Sequence, residues 1–137
     1  MSNPSKDLGT RGETRVKRDL AKHGFKVWRR SLAGSKDEGD LGMIMPDGTE
    51  VTLEVKAGKQ TIGYCRALVE KWKKQTLDEA QHSGCPAVLI ILRYKKQLRN
   101  AEVWMPNGQW GYGLGGDTWT LMYYDEFLLK MGGTDAT

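Results

Sequence analysis

Residues 39–56 read Gly39-Asp40-Leu41-Gly42-Met43-Ile44-Met45-Pro46-Asp47-Gly48-Thr49-Glu50-Val51-Thr52-Leu53-Glu54-Val55-Lys56. An acidic residue leads a short apolar run, a turn follows, and a second run ends in Glu54-Val55-Lys56. In that second run Val51, Leu53 and Val55 alternate with polar residues, the period-two pattern of a half-buried strand. Side chains two apart share a face, so Glu54 and Lys56 stand side by side, with Cα atoms about 7 Å apart. Pro46-Asp47-Gly48-Thr49 has the residues of a hairpin turn. It folds 41–45 back against 51–57 and brings Asp40 beside Glu54. Two carboxylates and one ammonium then share one edge of a sheet.

Such an edge suits phosphodiester hydrolysis. A divalent metal neutralises the phosphate and acidifies a water, and Mg²⁺ is satisfied by one or two carboxylates plus waters. A lysine alongside steadies the water or the charge that develops. The order acid, hairpin, Glu-x-Lys, here Gly39-Asp40 followed by Glu54-Val55-Lys56, resembles the PD-(D/E)xK nuclease superfamily. Within it the chain is most similar to Holliday junction resolvases of the archaeal type and their phage-encoded relatives. Gly39 stands where the family name has Pro. The resemblance covers residues 10–106 or so. It implies a restriction-endonuclease-like α/β fold, an αβββαβ core with a mixed central sheet flanked by helices. A bland alternative is an acidic turn and a Glu–Lys pair on a solvated strand.

Upstream, Thr10 to His23 reads as a helix stopped by Gly24, with Val16, Leu20 and Ala21 as its apolar stripe and residues 1–9 as a loose arm. Glu13 has two readings. Thr10 and Glu13 have capping-box spacing. Glu13 also falls on the stripe, where a carboxylate is costly without a partner. The resemblance supplies one, because these resolvases carry a helical glutamate at this distance that helps hold the metal or its water. Residues 25–30 alternate as a first strand. The loop 31–38 resembles resolvase loops that lie over the active site, so Arg29, Arg30, Ser35 and Lys36 are candidate DNA contacts, with Arg11 on the first helix. The structural alternative for Ser35 is an ordinary loop serine.

Downstream, Lys59 lies in a loop beside the expected site. Residues 68–82 read as a helix with Leu68, Val69, Trp72, Leu77 and Ala80 on its apolar face. Gln75 is a candidate contact to DNA or the site, as the resemblance implies. The neighbouring lysines equally fit an exposed helix face. Residues 86–92 are nearly all apolar, as in a strand buried on both faces. Residues 93–100 form a basic hairpin or loop, 101–105 a strand and 119–123 an edge strand. Tyr124 to Met131 is a short final helix, and a loose tail is expected after Gly132. Gly111 to Gly116 lacks the context of a phosphate-binding loop.

The 137 residues carry a net charge of +4, placed unevenly. Residues 1–36 hold ten Lys/Arg against three Asp/Glu, and the remainder eleven against fourteen. A basic segment beside an acidic metal site fits a polyanionic substrate. The size is that of one domain, so a single nuclease domain over 1–137 is expected. No apolar run approaches membrane-spanning length, and the absence of an apolar leader argues for a cytoplasmic protein, host cytoplasm if phage-encoded. Cys65 and Cys85 lack zinc spacing and are expected to be reduced.

Together these features point to an endonuclease acting on branched DNA. As the resemblance implies, Glu13, Asp40, Glu54 and the carbonyl of Val55 would hold one or two Mg²⁺, with Mn²⁺ substituting. Lys56 would help orient the attacking water, leaving a 5′-phosphate. Symmetric cutting of a four-way junction implies a two-fold homodimer, through Trp104, Trp110, Tyr112 or the final helix. The alternatives are a nicking, flap or single-strand nuclease of the same superfamily, or a basic DNA-binding module without catalysis.

Overall fold

The computed structural model describes the backbone of residues 4–30 and 39–134 and, within those ranges, the side chains from residue 11 onward. The hairpin is present: strands β2 (Leu41–Ile44) and β3 (Glu50–Lys56) pair antiparallel, with Leu41 opposite Leu53. Gly48 closes the turn at φ 91°, a conformation open to glycine. Its N–H donates to Met45 O at 2.9 Å, and Asp47 Oδ1 accepts from the Thr49 N–H at 2.9 Å. Continuing the strand register by one residue puts Asp40 across from Glu54.

Helix α1 (Pro4–Lys22) precedes β1 (Lys26–Arg29), and α2 (Arg66–Ser83) links β3 to β4 (Ala87–Ile91). Strand β5 (Glu102–Pro106), a short helix α3 (Asn107–Trp110), strand β6 (Trp119–Tyr123) and helix α4 (Tyr124–Lys130) complete the chain. The six strands lie in the order of the sequence. Only β3 and β4 are parallel, because α2 carries the chain back across the sheet between them. The expected αβββαβ core with a mixed sheet is therefore present, extended by β5, β6 and α4.

Strand β3 departs from expectation, because both of its faces are covered. Val51, Leu53 and Val55 belong to the larger core with Val16 and Leu20 of α1 and Phe127 of α4. Thr52, Glu54 and Lys56 lie under α2, with Leu89 and Ile91 of β4 packed beneath Val69 and Trp72. Each fully buried aliphatic side chain contributes about 1.5–3 kcal/mol. The polar set under α2 needs another explanation.

Helix α1 starts at Pro4, earlier than the expected Thr10. Proline suits a first turn, where its missing N–H is not needed. Thr10 consequently sits inside the helix and is not its N-cap, so the capping box with Glu13 is not formed. Ala21 is exposed, and the buried line is Gly12, Val16 and Leu20. Gly12 is required by proximity, since a Cβ there would stand 2.3 Å from Ala57 Cβ at the end of β3. At the other end of the chain, residues expected in a loose tail are tied down. The Thr134 N–H donates to His23 O at 2.8 Å.

Candidate active site

Asp40 is fixed by backbone on both sides. Its N–H donates to Leu53 O at 3.1 Å, and its carbonyl accepts from the Arg30 N–H at 3.0 Å. Its Oδ2 accepts from the Val55 N–H at 2.9 Å. The preceding Gly39 has φ 96°, which proline cannot adopt. A Cβ at Gly39 would stand 2.5 Å from Thr52 Cγ2. The departure from the Pro of the family name is thus a property of this turn.

Glu54 is 2% exposed. Lys56 Nζ lies 3.1 Å from its Oε1. Gln75 of α2 ties the two residues together. Its Oε1 accepts from Lys56 Nζ at 2.9 Å, and its Nε2 donates to Glu54 Oε1 at 3.3 Å and to Glu79 Oε1 at 2.9 Å. The Lys56 and Gln75 contacts to Glu54 both fall on Oε1. Its Oε2 is buried without a donor, and the carboxyl also meets those of Asp40 and Glu79.

These surroundings shift both groups upward. Burial pushes Asp40 up to about 8, helped by the Glu54 and Glu13 charges and opposed by the Val55 N–H. Burial pushes Glu54 up to about 9, helped by Glu79 and opposed by Lys56. Desolvation disfavours the charged form, and neighbouring carboxylates add repulsion. Near neutral pH the pair holds protons that a cation would displace.

Glu13 is close enough to raise Asp40, but its Oε2 takes an Arg29 Nη1 bond at 2.6 Å. Arg29 also reaches Thr14 Oγ1. Arg30 points to the opposite face, over the Trp28 ring and 2.8 Å from Glu50 Oε2, with its side chain only 9% exposed. Two arginines expected to meet DNA are thus held by carboxylates of this chain. Arg11 and Lys59 are exposed. Ser35 and Lys36 lie outside the described residues.

Glu79, 1% exposed, went unread in the sequence as a member of this cluster. Its signal was position: Trp72, Thr76, Glu79 and Ala80 form one buried helical line.

Among the described residues no group of three His, Cys, Asp or Glu side chains is placed to hold a metal ion. Two carboxylates are enough for Mg²⁺, which keeps several waters. The donor set of Asp40 and Glu54 is all oxygen, and Glu54 Oε2 has no donor to satisfy it. These residues fit a hard divalent cation.

No family model matches the chain, and no curated protein matches it in sequence. Among solved structures it is similar to the Archaeoglobus fulgidus protein Hjc, a Holliday junction resolvase from an archaeal hyperthermophile. The two share 18% identity at a TM-score of 0.48, over 93% of this chain and 95% of that one. A likeness at this level concerns the fold alone.

Proposed function

We propose that this chain is a Mg²⁺-dependent endonuclease that hydrolyses phosphodiester bonds in branched DNA, with four-way junctions as its substrate. The observation that carries the proposal is the pairing of half-buried Asp40 with buried Glu54, with one Glu54 oxygen lacking a donor and Lys56 at its side. A carboxylate buried for packing alone would be destabilising.

Asp40 and Glu54 would hold the cation, with the Val55 carbonyl as a further candidate ligand. The cation supplies Lewis acidity, neutralising phosphate charge and acidifying a water. Asp40 is preset by the Val55 N–H, and Glu54 by Lys56 and Gln75, so little reordering is needed on binding. Both carboxyls would have to be deprotonated to hold the cation. Lys56, held between Glu54 and Gln75, presents its ammonium to the charge that develops on the phosphoryl oxygens. Glu13 sits one contact farther out, where its pairing with Arg29 sets the charge that Asp40 feels. The product carries a 5′-phosphate.

Cutting two strands symmetrically calls for a two-fold dimer. Trp110 packs against the core and donates to Ala87 O at 3.0 Å, which spends one expected contact. Tyr112 packs there beside it. The face of β5 and β6 around Trp104 keeps Leu121 50% and Tyr123 64% exposed, and is the better surface for a second copy.

The test is cleavage of labelled four-way junction, flap and plain duplex in Mg²⁺ and in EDTA, beside Asp40→Asn. Junction cleavage that requires Mg²⁺ and Asp40 is expected. Equal cleavage of all substrates would remove the junction assignment, and binding without cleavage would leave only a DNA-binding module.

A further inference from the structure

Two neighbouring clefts line the outer side of α1, away from the carboxylates. One, of about 570 Å³, is walled by Arg11, Arg15, Arg18, Asp19, Lys22 and Leu98. The other, of about 290 Å³, is walled by Arg11, Arg15, Ala57, Gly58 and the turn Arg93 to Lys95. Arg11 and Arg15 belong to both, so the two clefts adjoin at these side chains as one basic groove. It starts beside Ala57, the residue after Lys56, and runs along α1 to Lys22.

The charge of this groove is one-sided. Arg11, Arg15, Arg18, Lys22 and Lys95 are all exposed. Among the described residues none of them is in an ion pair. Arg93 is different, since its guanidinium lies 2.6 Å from Glu102 Oε1. The one carboxylate in the lining, Asp19, accepts the Tyr124 hydroxyl at 2.8 Å. Arg15 Nη1 donates to Lys96 O at 3.2 Å, which fixes the turn against α1.

Lys95 adds an independent observation. It is the one described non-glycine residue with positive φ, at 60°. Glycine or asparagine ordinarily takes such a place in a turn. Strained backbone of this kind gathers where function holds a side chain in position. Here a cation is held at the lip of the groove, its Nζ 5.4 Å from the Tyr94 ring.

We infer that this groove seats the phosphate backbone of a duplex arm that flanks the cut, separate from the strand held at Asp40 and Glu54. Cations without an ion pair among the described residues, set along two adjoining clefts, match a polyanion with regularly spaced charges, and a compact anion would need only one or two of them. That the polyanion is DNA rests on the proposed nuclease function. The groove itself rests on its own charge.

Binding of a four-way junction and of plain duplex is measured in EDTA, where no cleavage occurs, from 50 to 300 mM salt. Each cation lost should lower the magnitude of the slope of log K against log salt by about 0.9. The triple variant Arg18→Ala/Lys22→Ala/Lys95→Ala should lower it by about 2.7. Lys26→Ala, at the hairpin end of β1, should leave it unchanged. Lys95→Gly should keep or raise the melting temperature and still cost about 0.9 of slope, which separates lost charge from lost folding. Unchanged slopes in the triple variant and in Lys95→Gly would overturn the groove. Failure of the wild type to cleave in Mg²⁺ would instead count against the nuclease function and leave the groove standing.

Discussion

Two glutamates lie in the sheet layer that meets α2, and their surroundings are opposite. Glu102 of β5 sits across from Ile91, which in turn pairs with Lys56. Its carboxylate takes the Tyr64 hydroxyl through both oxygens and Arg93 through one. Glu54 of β3 has Lys56 and Gln75 on one oxygen only, and faces Asp40 and Glu79. Both are buried acids beside a cation. Glu102 is satisfied and fastens the Tyr64 loop to β5. Glu54 keeps one oxygen that neither Lys56 nor Gln75 reaches, and burial, with crowding by the Glu79 carboxyl, pushes it up to about 9. The difference separates a structural ion pair from the pair proposed to hold a cation.

The largest break in this comparison comes from neutralising the unsatisfied side. Asp40→Asn and Glu54→Gln should each lower single-turnover junction cleavage on the order of 10³-fold, the several kcal/mol that a metal contributes to such a transition state. Binding in EDTA should persist. Lys56→Met should cost about 10²-fold in the same assay, as for removal of one transition-state donor. Mg²⁺ at a hundred times its Kd should stabilise the wild type by about 2.7 kcal/mol, and thermal melting of Glu54→Gln should show no such shift. Glu102→Gln should behave in the reverse way. It should lower stability by about 1.5–3 kcal/mol, the worth of charge-assisted bonds, and keep both cleavage and the Mg²⁺ effect.

Response to pH gives a further separation. Asp40 and Glu54 titrate higher in the folded chain than in the unfolded one. Their contribution to stability is whole below about pH 4 and is lost as pH rises through about 8 and about 9. Denaturant melts without metal should therefore show stability falling over that window, and Glu54→Gln should flatten the fall. An equal fall in the variant would place its cause elsewhere.

The hairpin and β4 were legible because their signals are local. Alternation, an Asp-Gly turn and an unbroken apolar run need no knowledge of neighbours. The start of α1 was not legible, because Thr10 and Glu13 have the spacing of a capping box, a local signal that the longer helix from Pro4 overrides. Glu79 was hidden for a related reason. On its own helix it is a polar residue in an apolar line, and its meaning comes from β3, twenty-five positions away. The arginines were half legible. Alternation put Arg29 and Arg30 on opposite faces, but nothing local showed that Glu13 and Glu50 would occupy them.

The proposal that Asp40 and Glu54 hold a cation is tested most directly by titrating Mg²⁺ into the protein calorimetrically at pH 7.5, in two buffers of different ionisation enthalpy. Saturable binding with proton release is predicted, and its loss in Glu54→Gln. Absence of binding, or binding that releases no protons and survives Glu54→Gln, would contradict it.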